Sequence, residues 1–179
     1  YGTRWGGTLD VAQQIGDALK AAGYEVDTFE AREGQPRLAY YDLIIVGSGI
    51  RADQWTKAAL KFLERNAEDL KLAKTALFVS CQMADREEEA QQKAKRKYLF
   101  EIAEKYDLSP ISLGFFGGFV DFKKSHGIIV DVIVRINRKK LLAKGLDIRK
   151  VYDTRKWDDI TAWAREIAKV ASEKTGNSG

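Results

Sequence analysis

The residues best placed for chemistry open the chain. Thr3-Arg4-Trp5-Gly6-Gly7-Thr8 puts two hydroxyls around two glycines, and an apolar helical stripe follows. Such a run lets backbone N–H groups converge on one anion at a helix N-terminus. Gly6 and Gly7 permit close backbone approach, and Thr3 and Thr8 can donate hydroxyl hydrogen bonds. Three further stretches share this character, each after an apolar run. They are Ser48-Gly49-Ile50-Arg51 with Trp55 beyond, Ser80-Cys81-Gln82, and the glycine-bearing turn from Gly114 to Gly118.

Several chemistries lack their residues. A triphosphate-binding loop needs a Lys after its last glycine, and Gly6-Gly7-Thr8 has none. The spacing G-x-G-x-x-G of dinucleotide sites is missing from the first loop. A phospho-acceptor Asp would end the central strand, where Ser48 and Gly49 stand instead. No His/Cys/Asp cluster has metal-ligand spacing, and no nucleophile–base pair suggests a hydrolase. The catalytic residues stay unassigned. A monoester phosphate, as in flavin mononucleotide (FMN), suits a hydroxyl-and-amide cradle without a Lys. Cys81 reads as a small buried hydrophobe with a redox thiol as the alternative. Trp55 can stack on a ring edge or fill a core. His126, the single histidine, lies beside Lys123 and Lys124 and reads as a surface residue, with a proton relay from a substrate as the alternative.

The elements that must carry these loops alternate. Ala12, Ile15, Leu19 and Ala22 mark a first helix, with Thr8 as its expected N-cap and Gly23 as its stop. Tyr24–Phe29 alternates like a half-buried strand. Leu43–Ser48 is a continuous apolar run, as in a central parallel strand. Gln54–Leu63 returns to helical period. Thr75–Ser80 is another strand, Arg86–Tyr106 a long helix, and Ile111–Phe116 a last strand. A C-terminal helix carries Trp157, Ile160, Trp163, Ala164 and Ile167. This order predicts a parallel sheet wound on both faces, with ligands outside the C-terminal strand ends. The chain reads as one domain over 1–179. A strand should precede the first loop, so a further apolar strand is expected upstream of Tyr1.

At 179 residues and 45% hydrophobic content the chain can bury a core. Its single cysteine excludes an internal disulfide and fits a reducing, cytoplasmic setting. No apolar run is long enough to span a bilayer. Residues 121–156 hold 11 Lys+Arg and 4 Asp, a local +7 within a net +4. That basic segment overlaps an insert over about 119–149. There Ile129, Val132, Ile133 and Ile136 share a helical face, and Asp131 with Arg135 makes an i,i+4 pair, so an amphipathic helix is expected, with a strand over the β-branched run Ile128–Val134 as the alternative. The segment suits anionic partners, including an anionic membrane surface. Nucleic acid is not expected, because no recognition motif accompanies the charge.

The opening loop resembles the phosphate loop of flavodoxins, written [ST]-x-T-G-x-T, with Trp5 in place of a hydroxyl. Gly47-Ser48-Gly49-Ile50-Arg51 and Asp153-Thr154-Arg155-Lys156-Trp157-Asp158-Asp159-Ile160 resemble the flavodoxin-like, menaquinone-dependent protoporphyrinogen oxidases. That resemblance implies a flavodoxin-like sheet of order 2-1-3-4-5 and FMN as cofactor. It implies that Ser48–Arg51 and Ser80–Gln82 flank the flavin ring. The implied function is electron transfer from a reduced, porphyrin-like substrate through FMN to a quinone. Lys123, Lys124, Arg138, Lys139 and Lys140 would hold carboxylates or lipid headgroups at the inner face of the cell membrane. The alternative is an electron carrier between protein partners with no small-molecule substrate.

Overall fold

Leu43–Arg51 (β1) is the longest strand of the computed structural model, which describes residues 1–4, 6–33, 37–121 and 150–173. All of it but Ile50 and Arg51 pairs in parallel with Lys74–Ser80 (β3), from Leu43↔Lys74 to Gly49↔Ser80. β3 is buried at every residue but Lys74, as a strand covered on both faces must be. It pairs in parallel with Ser112–Phe116 (β4), from Ala76↔Ser112 to Ser80↔Phe116.

On the other edge of β1, Gly2 makes a parallel bridge to Ser48. Gly2 N donates to Gly47 O at 2.8 Å, and Gly49 N donates to Gly2 O at 3.0 Å. Outside it, the Tyr1 amino group donates to Phe29 O at 2.8 Å and Ala31 N donates to Tyr1 O at 2.7 Å. The lateral order is therefore 29–31, 1–2, β1, β3, β4. This is the doubly wound, flavodoxin-like order expected.

Tyr24–Phe29 does not form the expected strand. Among the described residues its main-chain bonds are at its two ends, Tyr24 N donating to Leu19 O at 3.1 Å and Phe29 O accepting from the Tyr1 amino group. A slot of about 620 Å³ opens between Val26 and Thr28 on one side and Leu43 and Ile45 on the other, with Ile15 and Phe78 in its lining. A smaller opening of about 100 Å³ reaches the opposite face, bounded by Phe29, Leu38, Ile44 and Phe62. An alternating sequence cannot become a ladder without a backbone alongside.

Helices cover both faces. Gly7–Ala21 (α1) and Trp157–Ser172 (α6) pack on one, joined by Gln14 Nε2 donating to Thr161 Oγ1 at 2.8 Å. Between them and the sheet lie Phe78, Phe116 and Trp163, with centroids 5.2–6.3 Å apart. α1 stops at Gly23 (φ +93°), as expected of a left-handed glycine cap. The other face carries Lys57–Arg65 (α2), Ala67–Leu72 (α3), and the run Glu88–Lys95 (α4), a π-turn at Arg96–Phe100, and Glu101–Lys105 (α5).

Two sequence expectations change here. The single helix over Arg86–Tyr106 is broken by that π-turn, which shifts the bonding by one residue. Tyr98 O takes its hydrogen bond from the Trp55 indole at 2.7 Å. And Gln54–Trp55 is not helical. It forms a short strand (β2) folded back on Ile50–Arg51 through Ala52 and Asp53, both at positive φ (46° and 65°). The helix begins only at Lys57, after Thr56, whose Oγ1 accepts from Ala59 N at 3.4 Å.

After β4 the chain forms a hairpin stem, Phe119–Asp121 (β5) against Val151–Asp153 (β6), antiparallel. The expected amphipathic helix, His126 and most of the basic cluster fall within 122–149, outside the described residues, as do Trp5 and the tail 174–179.

Candidate functional site

The ends of β1, β3 and β4 and the start of α1 converge on a cleft of about 80 Å³. The opening loop forms one wall. Gly6 is its N-cap, left-handed at φ +87°, and its N–H donates to Thr3 Oγ1 at 3.0 Å. Thr3 thereby keeps its own O–H for a ligand. Thr8 is not the N-cap expected from the sequence. It lies inside the first helical turn and is buried, with its Oγ1 toward Gly49, where an added Cβ would come within 2.7 Å. Gly2 is equally constrained, because a Cβ there would lie 2.0 Å from Thr56 Oγ1. Thr3, Arg4, Gly7 and Thr8 all line the cleft. The first amides of α1 have no carbonyls one turn earlier, so they are donors for an anion held there.

The β1 end supplies Gly49, Ile50 and Arg51. Burial, and then the charge of Arg4, press the Arg51 pKa below the ordinary guanidinium value, although the group stays cationic. Two cations thus share one cleft, a disposition that an anionic ligand would relieve. Ser48 does not line it. Its buried hydroxyl accepts from Thr56 N at 2.9 Å and ties the strand end to the cap of α2. Trp55 points into the core between β1 and the π-turn, 4% exposed, away from the cleft. Of the two uses open to it from sequence, the structure shows the packing one.

The β3 end supplies Ser80, Cys81 and Gln82. Ser80 Oγ donates to Gly117 O at 2.8 Å, and Cys81 N donates to Phe116 O at 2.9 Å, which locks the two strand ends together. Burial pushes the Cys81 thiol up to about 11, so it is a protonated, packed side chain at neutral pH rather than a thiolate. Gln82 Nε2 is buried with no hydrogen-bond partner. A buried orphan donor beside a cleft is a group waiting for an acceptor.

Gly114 sits within β4, where a Cβ would meet the Phe116 ring at 2.7 Å and Phe78 Cβ at 3.0 Å. It serves packing and does not line the cleft. Its place is taken by Gly118, where a Cβ would crowd the Cys81–Gln82 peptide at 2.9–3.1 Å. Phe119, Val120 and Thr56 complete the lining and were not expected from the sequence. The signal for Gly118 was present in the Gly117-Gly118 pair directly after an aromatic strand end. Phe119 and Val120 offered none, since their position depends on the stem. Among the described residues no group of His, Cys, Asp or Glu could hold a metal ion, and no helix is long and apolar enough to cross a membrane.

The donors present are two hydroxyls, helix-start amides, two guanidinium groups and an unpaired amide. They fit a phosphate ester carrying a polar ring. The 80 Å³ enclosed by the described residues suits the phosphate end of such a molecule.

Comparison with known proteins adds three findings. A family model for the flavodoxin domain matches residues 1–140. Protoporphyrinogen IX dehydrogenase (quinone) of Escherichia coli K12 is 23% identical over 176 residues, 98% of this chain and 96% of that protein, and the protein of the same name from Escherichia coli O157:H7 matches equally. Among solved structures, two-electron reduced Megasphaera elsdenii flavodoxin aligns with a TM-score of 0.49 at 23% identity, covering 64% of this chain and 81% of that one. Oxidised flavodoxin 1 of Bacillus cereus aligns with a TM-score of 0.46 at 21% identity, covering 63% and 78%.

Proposed function

We propose that this chain, which belongs to the flavodoxin domain family and takes FMN as its cofactor, is an oxidoreductase that passes electrons from a reduced porphyrinogen-like substrate to a quinone. The observation that carries the reading is the match to a quinone-dependent protoporphyrinogen dehydrogenase over 98% of this chain, a span that includes 122–149.

FMN, when bound, supplies the two-electron chemistry between an organic donor and a quinone. The protein's part is position and electrostatics. In this reading Thr3 and Thr8 donate their hydroxyls to the phosphate, the first amides of α1 donate alongside them, and Arg4 adds a positive charge. Gly49 leaves room for the ligand against the strand end. Arg51 holds negative charge at the ring side of the cleft. Gln82 Nε2, the orphan donor beside the cleft, would be available to a polar acceptor of the cofactor. Ser48 and Thr56 act indirectly, by fixing the strand end that presents Gly49 to Arg51. The basic side chains of 122–149 (Lys123, Lys124, Arg138, Lys139 and Lys140) hold substrate carboxylates or anionic headgroups.

The test is anaerobic turnover of the FMN-loaded protein with protoporphyrinogen and a soluble quinone, read by porphyrin fluorescence. The expected result is quinone-dependent porphyrin formation. Removal of 122–149 should abolish it while FMN stays bound. Background rates with fully loaded protein would sink the oxidase reading and leave an electron carrier. A colourless protein that ignores added FMN would sink both.

A further inference from the structure

Asp153-Thr154-Arg155 lies far from the opening loop in sequence, yet the fold seats Arg155 against it. The Arg155 side chain is only 5% exposed. Its Nη1 donates to Gly7 O at 3.1 Å and to Asp10 Oδ2 at 2.7 Å, both in the first turn of α1. Its Nε and Nη2 donate to the two Asp153 oxygens at 2.8 and 2.7 Å. The guanidinium carbon lies over two rings, 4.8 Å from the centroid of Phe119 and 4.6 Å from that of Trp157. One side chain therefore joins the phosphate loop's helix, both strands of the β5–β6 stem and the start of α6.

Neighbouring contacts tighten the same junction. Gly118 N donates to Thr154 Oγ1 at 3.1 Å, and Thr154 N donates to Gly118 O at 3.0 Å. Phe119 Cβ stands 3.0 Å from where a Gly7 Cβ would be, so the stem rests on the loop itself. Phe119 and Val120 line the cleft at the other end of this contact.

We propose that Arg155 is a positioning residue that couples occupancy of the FMN phosphate site to the setting of the β5–β6 stem. The inference rests on the FMN site described above. Two carboxylates already balance the guanidinium, so Arg155 acts as a fork and not as a long-range charge. Coupling of this kind is reciprocal: FMN stabilises the stem, and a seated stem tightens FMN.

The test separates fork from charge. R155K keeps the charge and loses the fork. D10N removes a negative charge near the phosphate, which by charge alone would tighten FMN. FMN affinity is read by flavin fluorescence quenching, and stem order by hydrogen exchange of amides 119–121 and 151–153 with and without FMN. Coupling predicts that R155K raises the FMN Kd about tenfold, that D10N raises it severalfold, and that FMN protects the stem amides in the wild type but not in R155K. Variants that bind FMN within twofold of wild type, or stem protection equal in both, overturn the proposal. Should R155K fail to fold, D10N at its half-exposed site decides alone by the sign of its shift. Wild-type protein that binds no FMN overturns the underlying site as well.

Discussion

Gly49→Ala is the most direct probe of the cleft. Gly49 is not among the described glycines with positive φ, so alanine meets no backbone strain there. The cost is steric. The new Cβ would lie 2.7 Å from Thr8 Oγ1, and Thr8 is 4% exposed, so either the side chain or the strand must shift. Overpacking of this kind costs about 1–3 kcal/mol. If Thr8 yields, the hydroxyl proposed to hold the phosphate is displaced, and on that proposal the FMN Kd rises by roughly 5- to 150-fold at 1.4 kcal/mol per decade. If the strand yields, the apoprotein loses stability by the same amount. Fluorescence titration of FMN and thermal unfolding of the apoprotein measure the two shares. Thr8→Ala supplies the control, because it removes the clashing oxygen. The double variant should bind FMN no worse than Thr8→Ala alone. Wild-type affinity and stability in Gly49→Ala, or simple additivity in the double variant, would refute the steric account.

Phe78→Ala should destabilise by about 3–5 kcal/mol, since the ring is 2% exposed against Phe116 and Trp163. For a chain of this size that lowers Tm by roughly 6–20 °C, and a loss under about 1 kcal/mol would contradict the packing. The raised Cys81 pKa, from 9.0 to about 11, means that the folded state holds the thiol proton more tightly than the unfolded one. Its contribution is complete below about pH 9 and is lost as pH rises toward about 11. Denaturation midpoints should therefore fall more steeply over that range in wild type than in C81A, and rapid alkylation at pH 8 would contradict the burial.

Continuous apolar runs were readable because strands buried on both faces have no polar side to confuse them. β1, β3 and β4 lie where Leu43–Ser48, Thr75–Ser80 and Ile111–Phe116 pointed. What depends on a neighbour was not readable. Tyr24–Phe29 has the alternation of a strand but lacks a backbone alongside. Trp55 fits helical period by spacing, yet Ala52 and Asp53 take positive φ without a glycine to announce a turn. Gly114 and Gly118 are equal candidates in sequence. The β3–β4 register places Gly114 opposite Phe78, inside the sheet, and leaves Gly118 beyond its end. Ten of the expected lining residues do meet in the cleft, from the ends of β1 and β3 and from the opening loop and the start of α1. Arg155 stood in a motif noted from sequence, but its seat against α1 was not readable, because its partner Gly7 is 148 residues away.

The π-turn has a consequence for how firmly the ring-side loop is held. Ala52–Asp53 is the two-residue tip of a hairpin, the sort of element that ordinarily fluctuates on nanosecond to microsecond timescales. Here Asp53 accepts from Lys97 and from the Tyr98 hydroxyl, both on the π-turn, while Tyr98 O holds the Trp55 indole. The tip that follows Arg51 is thus moored from behind, by a helix that does not line the cleft. The Lys97 and Tyr98 hydrogen bonds hold the Asp53 carboxyl below its usual range. The mooring is therefore in force above the ordinary carboxylate pKa and released as pH falls through the lowered one. Acid would release this tether on the Arg51 hairpin.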